Sequence, residues 1–200
     1  MSGSEEASLR KSNKEAAETR RAIVTAAADY IRRTGIAGAS LSDVMAAAGL
    51  THGGFYKHFR NREQLIAEAL VAAGRSSAEM LREVRAKKGR NAALERYLSR
   101  EHRDAATPTC PMAALGSEAA RSSGEARAAA VVVIEQMIDE LAEDQSSEEA
   151  RAEAMVDYAT MIGAMTLARI VSGTTLSEEI LERARKRLAV CGLFPERQVS

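Results

Sequence analysis

The chain has 200 residues, of which 46% are hydrophobic, and its 28 Lys and Arg balance 28 Asp and Glu. This length allows one large or two small domains with a sizeable core, and the lack of an apolar run of about 18 residues predicts no membrane span. The polar amino terminus carries acidic residues, which excludes a signal or transit peptide. We therefore expect a cytoplasmic protein without a membrane partner.

Residue usage predicts an all-α protein. Three Pro and 4% aromatic residues accompany abundant Ala, Glu, Arg and Leu, the residues that favour helices. The two cysteines, Cys110 and Cys191, form neither a metal-binding spacing nor a disulfide framework. We expect no metal and no cofactor.

Charge is unevenly distributed along the chain. Residues 1–62 carry 10 Lys/Arg and 6 Asp/Glu, a net charge of +4, whereas residues 63–200 carry 18 and 22, a net charge of −4. An amino-terminal part that meets a polyanion would explain this asymmetry, and chance scatter would explain it equally well.

The first predicted helix follows a tail, residues 1–13, that we expect to be disordered. From Lys14 to Thr34, apolar residues recur at helical spacing on one face, and Gly35 then ends the helix. The residues of this face are Ile23, Ala27, Tyr30 and Ile31.

Two short helices come next. Ser40 and Asp43 form a capping-box pattern that opens a helix of about two turns, which Gly49 stops. Thr51 can cap a second short helix that runs through His58. This spacing matches the helix-turn-helix, whose second helix lies in the major groove of DNA, although other helical hairpins share it.

Two adjacent glycines stand at the start of the second short helix. Gly53 and Gly54 each cost about 1 kcal/mol relative to alanine in a helix. A glycine lets the backbone approach a neighbouring molecule closely, which would compensate for this cost.

The remaining chain continues as helices of ordinary or greater length. The breaks predicted between these helices in the first half lie at Gly74, Gly89–Arg90 and Thr107–Pro111. We assign residues 14–62 to a helix-turn-helix domain and residues 63–200 to a second helical domain.

Across residues 17–77 the sequence resembles the TetR-type bacterial transcriptional repressors. The segments that carry the resemblance are IVTAAADYIRRTG, SLSDVMAAAGLTHGGFYKHF and NREQL. The resemblance implies a three-helix DNA-binding domain, a connecting helix at about residues 62–87, and a helical domain for ligand binding and dimerisation. It also implies a repressor that binds a palindromic operator as a homodimer and is released by a small-molecule effector.

The resemblance implies a set of DNA contacts around the second short helix. His52 is expected at a base edge, whereas Tyr56, Lys57 and Arg62 are expected at phosphates; Gly54 stands where Thr, Ser or Ala is common, which implies weaker base readout. Tyr56 could instead be a core aromatic, and Lys57 and Arg62 plain solvated charges. The full predicted set is Ser40, Leu41, Ser42, Thr51, His52, Gly53, Gly54, Tyr56, Lys57, His58 and Arg62. His58 is balanced between a phosphate contact and a packed ring, while Phe55 and Phe59 are expected to point inward.

In the second domain, the resemblance implies dimerisation through the last two long helices. The apolar stripes predicted to form the interface could instead face their own core. These stripes comprise Met155, Tyr158, Ile162, Met165, Arg169, Ile180, Ala184, Leu188 and Cys191.

An effector pocket is expected among apolar residues of the same domain. Methionine adapts to ligands of varied shape, although such residues are often simply core. The candidate lining residues are Tyr97, Met112, Leu115, Met137 and Met161. His102 is a further candidate polar contact, with a merely solvated ring as the alternative.

Cys110 lies between two prolines at the start of a predicted helix, where a thiol can become reactive. This position favours an alternative function, a thiol-based sensor of oxidants or electrophiles on the same DNA-binding scaffold; an inert buried thiol is the plainer interpretation. A helical enzyme or a scaffold without DNA affinity is a remote alternative. Because the sequence has no P-loop, no HExxH and only dispersed histidines, we expect no enzyme.

Overall fold

The computed structural model describes residues 3–122, 124–142 and 147–191, and within them it contains helices and no strand, as predicted. No helix in these ranges is long and apolar enough to cross a bilayer. The helices are α1 (Gly3–Thr34), α2 (Leu41–Ala47), a 3₁₀ helix that we call the tip helix (His52–Lys57), α3 (Arg62–Tyr97), α4 (Arg100–Arg103), α5 (Pro111–Arg121), α6 (Gly124–Leu141), α7 (Glu148–Ile170) and α8 (Thr175–Cys191).

Helix α1 begins earlier than predicted. It starts at Gly3 rather than near Lys14, so residues that we expected in a disordered tail continue the helix. No Gly or Pro occurs between Gly3 and Gly35, so nothing in that stretch interrupts a helix. Residues 1 and 2 of the predicted tail lie outside the described residues. At the other end, Gly35 adopts a φ of 84° and terminates α1, as predicted.

The amino-terminal domain packs α1, α2 and the tip helix around one apolar centre. Ile23, Ala27 and Ile31 are fully buried along the predicted face of α1. Phe55 and Phe59 are also buried, with their rings stacked 5.5 Å apart between centroids. The two phenylalanines therefore anchor the tip helix to the domain, as expected.

The connecting helix α3 has one of its two predicted breaks. Gly89, with φ 84° and ψ 172°, interrupts the helical backbone. The break predicted at Gly74 was wrong, because Gly74 lies inside a continuous helix. A Cβ at Gly74 would lie 2.7 Å from both γ-methyl groups of Val133, so the glycine instead allows α6 to pack closely against α3.

The carboxyl-terminal domain is built on this contact between α3 and α6. Helix α6 also contacts α7, which packs against α8, and α5 fits between α6, α7 and the amino-terminal domain. The buried apolar residues form one continuous cluster that extends from α1 to α8. The core is therefore shared by both domains, which places α5 in contact with each of them.

Candidate nucleic-acid interface and effector core

The tip helix presents polar side chains to solvent. Thr51 occupies the N-cap position, but its side chain makes no capping hydrogen bond. The side chain of Tyr56 is 68% exposed, which excludes the core-aromatic alternative, and His52 and Lys57 are exposed as well. The rings of His52 and Tyr56 meet edge to face, with their centroids 6.4 Å apart. The predicted base and phosphate contacts thus lie on one accessible surface.

The fold does not require glycine at the tip. A Cβ at Gly53 would meet no atom within 4 Å, and a Cβ at Gly54 would meet only Met45 Cε, at 3.9 Å. Neither glycine has a positive φ. Neither internal packing nor backbone conformation therefore calls for glycine at these two positions.

The start of α2 borders the tip. Ser40 Oγ accepts a hydrogen bond from the Asp43 amide at 3.1 Å and donates to the Asp43 carboxylate at 2.6 Å. Tyr30 donates to the same carboxylate. Ser42 is exposed and Leu41 is half-buried. The Ser40 hydroxyl is therefore committed to capping, while Ser42 is accessible.

Arg62 has a different environment from the one predicted. Its Nε donates to the carbonyl of Ala39 at 3.0 Å, and its Nη2 donates to the carbonyl of Ile36. The loop between α1 and α2 offers these two carbonyls, and the guanidinium bridges them. Arg62 thus links the start of α3 to the loop before α2, and its contact with a phosphate stays a prediction.

His58 is half-buried, with its ring 6.5 Å from that of Phe59, which favours the packed-ring alternative. Its carbonyl accepts a hydrogen bond from Arg20 Nε at 3.3 Å. Arg20 also lies over the Phe59 ring at 4.7 Å and pairs with Glu68 at 2.5 Å. Sequence reasoning missed this arginine, because its partners come from a distant part of the chain.

A second missed residue is Arg60, which directly follows Phe59. Its guanidinium is largely exposed and forms an ion pair with Glu125 at 3.1 Å. Such a rim pair is weak, so Arg60 remains available to a phosphate. Its positive charge, close in sequence to the predicted contact residues, was the feature that could have identified it.

All five predicted pocket residues are buried in the core of the carboxyl-terminal domain. His102 is buried with them instead of solvated. Burial lowers the pKa of His102 to about 4, and the charges of Arg169 and Arg96 lower it slightly further. The hydrogen bond to the Tyr97 carbonyl acts in the opposite direction but does not outweigh burial. The neutral ring therefore donates from Nδ1 to the Tyr97 carbonyl at 2.6 Å and accepts at Nε2 from the Cys110 amide at 3.4 Å.

Cys110 has no exposed surface. It occupies the N-cap position of α5, and its Sγ lies 4.0 Å from the hydroxyl of Tyr158, whose pKa is raised by burial. Such burial limits access by large reagents, so it favours the plainer interpretation of an inert thiol. The reactive thiol stays a prediction.

Most of the predicted dimer face is buried inside this chain. The residues without substantial exposure are Tyr158, Met165, Ala184 and Leu188, with Ile162 and Ile180 half-buried against the same core. Arg169 also turns inward, where its Nε and Nη2 donate to the carbonyls of Arg103 and His102. Met155 is exposed, whereas the side chain of Cys191 lies outside the described part. The interface assignment is therefore corrected for Tyr158, Met165, Ala184 and Leu188, and it stays a prediction for the other five residues.

A different apolar stripe is exposed on α7. Val156, Leu167 and Ile170 are 65%, 54% and 74% exposed, and Leu176 continues the stripe at the start of α8. Gly163 lies between them at helical spacing, and a Cβ there would meet no atom within 4 Å. None of residues 3–122, 124–142 and 147–191 covers this face.

Helix α5 joins the core to the helix-turn-helix. At its start, Arg32 of α1 donates to the carbonyl of Thr109 at 3.0 Å, next to Cys110. Farther along, the Glu118 carboxylate accepts a hydrogen bond from the Ala37 amide at 3.1 Å. A displacement of α5 would therefore pull on the end of α1 and on the loop before α2.

A short helix, a turn and an exposed but anchored second helix define a helix-turn-helix DNA-binding protein with a helical second domain. Residues 23–69 match the model of the family described as bacterial regulatory proteins, tetR family. This part of the chain is therefore a DNA-binding domain of the tetR type.

Relatives and solved structures agree with this assignment. The chain is 38% identical over 58 residues to the HTH-type transcriptional regulator TtgR of Pseudomonas putida, a match that covers 29% of this chain and 28% of that protein. It is 33% identical over 78 residues to the HTH-type transcriptional regulator AcrR of Shigella flexneri, and this match covers 39% of this chain and 36% of that protein. The matched region is thus about a third of each curated relative.

Over most of its length, the chain shares its fold with a TetR transcriptional regulator from Chloroflexus aurantiacus J-10-FL, at a TM-score of 0.70 and 27% identity. The match covers 88% of this chain and 95% of that chain.

Both curated relatives are regulators rather than enzymes, in agreement with the prediction that the chain is no enzyme.

Proposed function

We propose that the chain is a dimeric, effector-responsive repressor that binds a palindromic operator through the tip helix. The observation that carries this proposal is the pair of glycines at the tip. Internal packing leaves room for a side chain at Gly53 and Gly54, yet both positions lack one. A close approach of the backbone to a duplex would give the glycines a purpose, with His52, Tyr56 and Lys57 exposed beside them.

The proposed partner in the dimer is a second copy of this chain. Two tip helices reach successive major grooves on one face of DNA when they lie about 34–36 Å apart, which a twofold dimer can arrange. The exposed stripe of Val156, Leu167 and Ile170 offers an apolar face for this pairing. Gly163, with open space above it, would let two α7 helices approach closely.

Effector control is proposed to pass through α5. The candidate pocket residues include Met112 and Leu115, which lie on the buried face of α5. The same helix is bonded to the helix-turn-helix through Thr109 and Glu118. A ligand that shifts α5 would change the spacing of the two tips, and such coupling is typically worth about 1–3 kcal/mol.

Alanine at Gly53 or Gly54 tests DNA contact separately from folding. Each substitution should leave the thermal stability unchanged or raised, because the methyl group meets no close neighbour and alanine favours a helix. Each should weaken binding to duplex DNA from upstream of the gene by about tenfold or more, as measured by fluorescence anisotropy.

The matched control is Gly116→Ala, a substitution at another uncrowded glycine, in α5 and away from the tip. It should keep wild-type DNA affinity. Wild-type affinity in both tip variants would contradict the proposed contact surface.

A further inference from the structure

Arg169 is a half-buried cation with no anionic partner among the residues that the structure describes. Two of its nitrogens donate to backbone carbonyls, but Nη1 is fully buried and has no hydrogen-bond partner among the residues that the structure describes. A neutral carbonyl does not compensate a positive charge. Proteins retain a buried charge when it is paired or when it meets a ligand.

The hydroxyl of Tyr97 is a second unpartnered donor in the same place. Tyr97 is only 1% exposed, and its oxygen has no partner among the described residues. Burial raises the pKa of Tyr97, and the charge of Arg169 acts against this rise, so the two groups interact electrostatically. The Tyr97 ring lies 4.7 Å from the ring of His102, and the carbonyl of His102 accepts a hydrogen bond from Arg169 Nη2. The phenol from α3 and the guanidinium from α7 therefore lie near each other, without an anionic partner among the described residues.

The thiol of Cys110 does not fill this role. Its sulfur lies 4.0 Å from the Tyr158 hydroxyl and close enough to Tyr97 to raise the pKa of that phenol, but a neutral thiol is a weak acceptor and does not compensate the charge of Arg169. The missing acceptor is therefore better supplied by another molecule.

The walls around the two donors are apolar and adaptable. Met161 and Met165 precede Arg169 by two turns and one turn on the same buried face of α7. Met112 of α5 and Met137 of α6 belong to the same buried cluster. Unbranched methionine side chains can rearrange around an inserted apolar group.

We propose that Arg169 and Tyr97 bind the carboxylate of an amphipathic small molecule whose apolar body lies among these methionines. One guanidinium and one phenol match the single charge and two oxygens of a carboxylate, whereas a phosphate dianion calls for more donors. The inference names the ligand class of the effector core, and its regulatory meaning rests on the proposed function. Because Arg169 also holds the backbone of His102 and Arg103, a ligand bound there would act close to the start of α5.

Ligand binding by the full chain tests this site without DNA. The probes are straight-chain carboxylates from butanoate to hexadecanoate, with benzoate and 3-phenylpropanoate, each compared with its primary alcohol by thermal shift and calorimetry. At least one carboxylate should raise the melting temperature and bind roughly tenfold or more tightly than its alcohol.

Tyr97→Phe should fold with an unchanged or higher melting temperature, since it removes a buried hydroxyl that has no oxygen or nitrogen partner among the described residues. The affinity of this variant for the carboxylate should fall several-fold, whereas its affinity for the alcohol should stay unchanged. Arg169→Met should abolish the preference for the carboxylate. Ser77→Ala, which removes another unpartnered buried hydroxyl, is the matched control and should bind like wild type.

The site is overturned if no carboxylate in the series binds the folded wild type, or if Tyr97→Phe binds the carboxylate as tightly as wild type. Should Arg169→Met not fold, Tyr97→Phe alone decides. A carboxylate that binds as predicted but leaves DNA affinity unchanged would support the site and contradict only its role as an effector site in the proposed function.

Discussion

At the scale of single residues, the burial of His102 leads to a prediction about how the free energy of unfolding depends on pH. Its pKa is about 4 in the folded chain against an ordinary value of 6.5, so as pH falls through 6.5 only the unfolded chain takes up a proton. This favours unfolding, and the stability that His102 contributes is complete above about pH 6.5 and is lost as pH falls toward 4. Between about pH 7 and pH 5, the free energy of unfolding should fall by about 2 kcal/mol from this residue.

Urea denaturation at the two pH values measures this loss in wild type and in His102→Gln. The variant should show a smaller loss on acidification, whatever its absolute stability. An equal pH dependence in both proteins would mean that the ring is already charged in the folded state.

Exposed contact residues were easier to predict from the sequence than residues with a structural role. The resemblance, carried by a short continuous segment, implied accessible positions for Tyr56 and Lys57, and both residues are exposed. The role of Arg62 depends on the carbonyls of Ile36 and Ala39, whose position beside it is set by the tertiary fold. A cation at a helix start looks the same in sequence whether it meets a phosphate or a loop.

At the scale of secondary-structure elements, helix types and most boundaries were predictable, but facing directions were less so. Helix α7 has apolar residues on two faces: Met161 and Met165 inside, Leu167 and Ile170 outside. Periodicity locates each stripe but does not tell which one faces the core. The predicted dimer stripe was the buried one for this reason.

Gly74 likewise shows that the sequence does not reveal how a glycine is used in the fold. In sequence it resembles a helix break, while in the fold it is the point where α6 approaches α3. Gly74→Ala should lower the free energy of unfolding by about 1–3 kcal/mol, since the added methyl overlaps Val133 and outweighs the gain in helix propensity.

Gly116→Ala serves as the control for Gly74→Ala, because its methyl meets open space and should stabilise the chain by up to about 1 kcal/mol. Chemical denaturation of both variants provides the comparison. Equal stabilisation by the two alanines would show that the contact between α3 and α6 is looser than described.

At the scale of the whole molecule, the proposal joins three parts: a tip for DNA, a core for an effector and a stripe on α7 for a second copy. Helix α5 connects the first two through Arg32 and Glu118. The resemblance implied this organisation, but the residues that connect the parts come from distant segments, and only the folded chain brings them together.

The dimer face leads to a prediction of its own. Leu167→Glu together with Ile170→Glu places two carboxylates on the exposed stripe, where pairing would bury them without partners. The double variant should sediment as a monomer and lose specific DNA affinity by about tenfold or more, since each copy then binds one half-site.

Val131→Glu is the matched control, because Val131 is a similarly exposed apolar residue that lies on α6 rather than on α7. It should keep the assembly state of wild type. A wild-type assembly in the Leu167/Ile170 variant would place the interface elsewhere.

Selection from a pool of random-sequence DNA duplexes tests the central claim most directly. We predict that the wild-type chain enriches a twofold-symmetric sequence whose half-sites lie about one helical turn apart, and that Gly53→Ala fails to enrich it at the same salt concentration. Enrichment of no sequence by the wild type, or of the same sequence equally by both proteins, would contradict the account.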